Sequence, residues 1–181
     1  MVKKSSILLF FLVLVMLQGS TLMAQSGRNE SNEPEINYFN PETWILGYFN
    51  LDHLLSGVHN KWYFEGYDNY VPEQQAVDEL KKLVDEKVSI TIVMGTWCPD
   101  SRREFPRFMK ILDAINYPID KVIMLGVDSN KKAPVEGYDN LDIERVPTFI
   151  IMRNKKEEGR IIEYPLTSLE QDMVDILAGK N

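Results

Sequence analysis

The spacing of apolar residues changes period several times along the chain, and each change marks an expected element. Residues 7–17 form an unbroken apolar run, and 25–35 are polar with Gly, Ser, Asn and Pro. Behind them Asn40-Pro41-Glu42 offers an asparagine cap, a first-position proline and a first-turn acid. Trp44, Ile45, Tyr48, Phe49, Leu51, Leu54 and Leu55 then recur at helical spacing, which predicts a short amphipathic helix ending at Gly57. Residues 61–70 crowd together Trp62, Tyr63, Phe64, Tyr67 and Tyr70, and that aromatic density predicts a strand. Ala76, Leu80 and Leu83 share one face of a helix expected over 72–86. Val-Ser-Ile-Thr-Ile-Val-Met at 88–94 reads as a buried central strand.

Helical spacing resumes at Cys98 with Phe105, Phe108, Met109, Leu112 and Ile115. A second buried strand is expected over 121–127, followed by a turn-rich stretch at 128–140. Pro147 precedes a third strand over 148–152, a charged turn falls at 154–159, a fourth strand returns over 160–164, and a helix closes over 168–177. Parallel βαβ units come first and an antiparallel ββα unit last. That order implies an α/β class, with a mixed sheet carrying helices on both faces.

The length of 181 residues suits one domain with a real core, and 44% hydrophobic with 26% charged residues is globular in kind. The net charge is −7, so nucleic acid and anionic lipid are disfavoured as partners. Lys3 and Lys4, the apolar run and Thr21-Leu22-Met23-Ala24 together read as a signal peptide over 1–24, cleaved after Ala24, with an uncleaved anchor as the rival reading because weak hydrophobicity continues to Met23. Losing those two lysines takes the charge from −7 to −9. The run is too short to span a bilayer comfortably, so no stable membrane insertion is expected after cleavage. The expected organisation is a signal peptide at 1–24, a flexible lead-in at 25–40, an N-terminal helical extension at 41–60 and the main domain at 61–181. Export to a bacterial periplasm or beyond follows from the signal.

Export makes the cysteine count informative. A single cysteine, Cys98, rules out an internal disulfide framework, leaving a thiol that is buried, paired with another molecule, or reactive. Cys98 stands where the central strand gives way to a helix, facing unpaired backbone N–H groups and the positive end of the helix dipole, which favour thiolate. A Ser101 hydroxyl one turn on is expected to donate to the sulfur, Asp100 to oppose, and Arg102 and Arg103 to offset that acid. His53 and His59 read as ordinary helix-face or loop residues outside the core, and no zinc spacing, phosphate loop or Ser-His-Asp set is visible.

Trp97-Cys98-Pro99-Asp100-Ser101 between a strand and a helix resembles the active-site turn of the thioredoxin superfamily. Pro106 matches the proline that kinks the family's active-site helix, and Val146-Pro147-Thr148 matches its cis-proline strand opening. The resemblance covers roughly 62–177 and implies a thioredoxin-like three-layer α/β/α sandwich. It implies catalytic roles for Cys98 and Ser101, and a substrate-binding role for Trp97, Pro99, Val146 and Pro147. It implies no metal and no cofactor, only an external thiol as reductant. Two positions depart from the pattern: Ser101 replaces the resolving cysteine, and Ile92 stands where the family keeps a buried acid. The two-cysteine cycle is therefore beyond this chain alone. Two readings remain. One is a monothiol exchanger forming mixed disulfides with client proteins or small thiol adducts; the other is a redox-inactive module that recognises extended polypeptide.

Overall fold

The fold is given by a computed structural model that describes residues 35–180. The expected signal peptide and residues 25–34 of the lead-in lie outside the described residues. Five strands form one mixed sheet in the order β1-β3-β2-β4-β5. They are β1 (Gly47–Phe49), β2 (Val88–Met94), β3 (Val122–Gly126), β4 (Thr148–Arg153) and β5 (Lys156–Ile162). Only β2 and β3 run parallel; β1–β3, β2–β4 and β4–β5 are antiparallel. Among the described residues there are five α-helices: α1 (Leu51–Leu55), α2 (Asn60–Asn69), α3 (Gln74–Leu83), α4 (Pro99–Ala114) and α5 (Leu169–Leu177). This is an α/β arrangement with a mixed sheet, as the element order implies, and a thioredoxin-like one, as the resemblance implies.

Strand β2 is central and apolar on both sides, as its β-branched run requires. Ile90, Ile92 and Met94 are fully buried among residues of the helices, including Leu54, Leu80, Phe105, Phe108 and Met173. Val93 points the other way, with Cys98, Leu125, Val127, Tyr138 and Val146. The layer on that second face is the turn-rich stretch after β3, whose regular element is a 3-10 turn at Tyr138–Leu141. Ala133, Val135, Leu141 and Ile143 pack against it from the same stretch.

Three sequence expectations are corrected. Residues 41–57 are not one helix. Pro41–Thr43 is a 3-10 turn capped by Asn40, Gly47–Phe49 is a strand, and the helix proper is α1, capped by Asn50. Gly47 has φ +80, outside helical geometry, and the strand alternates buried and exposed residues as it pairs with β3. Residues 61–70 form helix α2, not a strand. Tyr63, Tyr67 and Tyr70 fall at helical intervals, and α2 lies so close to α4 that a Cβ on Gly66 would sit 2.5 Å from Pro106 Cγ. Packing against α4 outweighs the β preference of the individual aromatics. The hairpin also turns earlier than expected. Asn154 and Lys155 both have positive φ (54 and 65), as a two-residue type I′ turn requires, so β5 starts at Lys156.

Candidate functional site

Strand β2 delivers the chain to the site at Gly95-Thr96-Trp97, where a turn closes with Cys98 N–H donating to Gly95 O at 2.9 Å. Cys98 is the N-cap of α4: its backbone is extended, and its carbonyl accepts the first helical bond from Arg102 N at 3.0 Å. Pro99 occupies the first helical position, where a missing N–H is harmless. Across from this turn the Val146–Pro147 peptide is cis, as the family resemblance implies. The Cys98 thiol donates to Val146 O at 3.4 Å. Thus Cys98 and Val146, 48 residues apart in sequence, meet, with Pro99 and Pro147 next to them in the chain.

Ser101 is buried beneath the turn, but its expected bond differs. Its Oγ accepts from Gly95 N at 3.2 Å, tying the helix start back to the end of β2, while the thiol of Cys98 is directed at Val146. Ile92 is fully buried and apolar, so the place of the family's acid is filled by core. The charges near the turn sort themselves. Arg103 pairs with Asp100 at 2.8 Å and also donates to buried Glu104, which takes a second arginine, Arg107, at 3.3 Å. Arg102 turns the other way. Its Nη1 donates to Thr96 O at 3.1 Å and Trp97 O at 2.8 Å, and its guanidinium lies 4.6 Å from the centre of the Tyr38 ring. Burial pulls the Arg102 pKa below the ordinary arginine range, while Tyr38 and Cys98 act in the opposite direction.

The segment before β1 belongs to this neighbourhood, which the sequence pattern does not reveal. Ile45 N donates to the buried Thr96 Oγ1 at 3.3 Å. The Trp44 ring lies 6.1 Å from that of Trp97, and Trp97 Nε1 donates to Val127 O at 3.0 Å. His59 anchors the segment from below and is buried, contrary to its reading as a helix-face or loop residue. Its Nε2 bonds Thr43 O at 2.7 Å and its Nδ1 accepts from Trp62 Nε1 at 3.2 Å. Burial, with Arg102 and His53 as lesser contributors, lowers its pKa. His53, by contrast, is exposed on α1 and has no part in the site.

A second concave region, an apolar cavity of about 340 Å³ between α1, α2 and α4, shares no lining residue with the Cys98 turn. Cys98 itself is only 7% exposed.

A protein-family model described as Thioredoxin matches residues 57–175. No curated protein matches the sequence. Solved structures similar to the chain include a protein of unknown function from Pseudomonas aeruginosa, with a TM-score of 0.49 and 13% identity, covering 72% of this chain and 90% of that one. Another is an HIV epitope-scaffold, with a TM-score of 0.44 and 16% identity, covering 78% and 86%. Neither likeness bears on activity.

Proposed function

The chain belongs to the thioredoxin family, and from that premise we propose that it is a one-thiol exchange protein working through Cys98. The observation that carries this reading is the meeting of Cys98 Sγ with Val146 O at 3.4 Å, beside a cis-proline and at the N-terminus of a 16-residue helix. That arrangement sets a sulfur next to a backbone edge at which an extended client could pair, with Trp97, Pro99, Val146 and Pro147 forming the contact surface. Cys98 thiolate attacks a disulfide of a client protein or small thiol adduct and forms a mixed disulfide. Ser101 cannot resolve it, so release falls to an external thiol or to another cysteine of the client. Isomerase-like or de-thiolating activity is the expected outcome, with poor turnover as a reductase. The signal-like N-terminus supports work outside the cytoplasm, in the periplasm or beyond.

The low exposure of Cys98 favours a second reading, in which the fold binds extended polypeptide beside Pro147 and the thiol stays idle. The two separate in one experiment. The chain lacking residues 1–24 is incubated with a scrambled disulfide protein and an external thiol. Exchange predicts a Cys98 mixed disulfide visible by mass and recovery of the substrate's activity, both abolished by Cys98→Ala. Modification of Cys98 only after unfolding would retire the exchange reading in favour of the binding module.

A further inference from the structure

Of the charged groups around the Cys98 turn, Arg102 alone is committed to the turn's own backbone. Asp100, the acid beside the cysteine, is neutralised by Arg103, and Arg145 is paired with Glu163 at 2.7 Å. Arg102 has no carboxylate partner among the described residues. Its Nη1 is shared between the carbonyls of Thr96 and Trp97, the two residues that lead into Cys98. Its plane rests on Tyr38, whose hydroxyl burial keeps in the protonated form, so the ring is a neutral support rather than a counter-charge. The remaining donors, Nε and Nη2, have no protein partner among the described residues. The guanidinium is half-buried, so its field at the turn is screened less than that of a surface charge.

We propose that Arg102 is a positioning residue for the exchange reaction at Cys98 and biases it toward disulfides that carry a carboxylate near the attacked sulfur. The proposal rests on the exchange reading above. Holding the Thr96 and Trp97 carbonyls on a cation turns their negative ends toward the guanidinium and sets the backbone that presents Sγ. The uncommitted donors then offer a carboxylate on the incoming disulfide a fork of N–H groups beside the turn. In the reaction the Cys98 thiolate attacks one sulfur of R–S–S–R′. The Cys98–S–R bond forms as the S–S bond breaks, and R′S⁻ leaves with the electron pair and takes a proton from solvent. Cys98 is thereby oxidised and R′ reduced, with no further reactant.

Two probe disulfides test this on the folded chain: dithionitrobenzoate, whose rings carry carboxylates, and neutral dithiodipyridine. The readout is the ratio of their second-order rates with Cys98, which a change in mere access would not move in favour of one charge type. Arg102→Gln is expected to lower the carboxylate-to-neutral ratio at least about fivefold, the floor set by one unit charge about 4 Å away screened as in bulk water. Arg102→Lys should keep the ratio within about twofold while slowing both reagents, because a point charge cannot reproduce the bonds to two carbonyls. Equal slowing of both probes by Arg102→Gln, or no change, would overturn the role. If Arg102→Gln does not fold, wild-type ratios in the folded and denaturant-unfolded chain are compared. A higher ratio in the folded chain supports the proposal and an equal or lower one overturns it. Reaction with neither probe before unfolding would instead sink the exchange reading itself, and the role of Arg102 with it.

Discussion

At the scale of single residues, the site depends on side chains whose partners are far away in sequence. Cys98, Pro99 and Ser101 were legible because cap chemistry and the strand-to-helix switch are local. The role of His59 was not, since its partners are Thr43 O and Trp62 Nε1 and nothing in its neighbourhood signals burial. Donating from Nε2 while accepting at Nδ1 requires the neutral ring. With its folded pKa below the ordinary 6.5, the unfolded chain binds the proton first as pH falls, so the stability tied to neutral His59 is present above 6.5 and is lost as pH falls below it. The stability gap between wild type and His59→Gln should therefore narrow from about pH 8 to about pH 5, read as urea midpoints. A gap that stays constant would mean that His59 does not titrate differently in the fold. Ser101 shows the opposite limit: its position in the turn was clear, but which group it would bond was decided by the approach of Gly95 N.

At the scale of elements, the surprise is the segment ahead of the family domain. Its apolar residues carry a helical rhythm, yet Gly47–Phe49 becomes an edge strand, because β3 offers an open side and Gly126 lets the backbone come close. A Cβ on Gly126 would lie 2.0 Å from the Ile45 carbonyl oxygen, a backbone atom with no rotamer to escape into. Gly126→Ala should therefore push the segment away from β3 and loosen the Ile45–Thr96 contact beside the site. A loss of roughly 1–3 kcal/mol in chemical denaturation is expected. Hydrogen exchange at the Ile45 amide should quicken as well; unchanged protection there would show that β1 is not held by this contact. Helix α2 teaches the same lesson, since five aromatics within ten residues suit either a strand or a helix. Only the groove beside Pro106 of α4, occupied at Gly66, selects the helix.

At the scale of the whole molecule, one large core joins the sheet to the helices, and the site sits where that core meets the smaller cluster on the opposite face. Phe108 of α4 stacks on Phe149 of β4 with ring centroids 4.2 Å apart, both fully buried. This pair connects the helix that begins at Cys98 to the strand that follows Pro147. Phe149→Ala should cost about 3–5 kcal/mol by denaturation, through lost burial and the cavity left behind. A loss under about 1 kcal/mol would mean that the neighbouring side chains collapse into the space. The chain by itself determined what depends on local rules: the central strand, the long helix with its cysteine cap and internal proline, the hairpin and the α/β class. It also determined that a second thiol is absent, because composition needs no folding. Tertiary structure decided the identity of α2, the conversion of an expected helix into β1, the burial of His59 and the turn of Arg102 onto the Thr96 and Trp97 carbonyls. The physical reason is common to all four. Each is a choice between locally near-equal arrangements, and the balance is tipped by a contact that only the assembled fold brings within reach: Pro106 for α2, β3 for β1, Thr43 for His59 and the Tyr38 ring for Arg102.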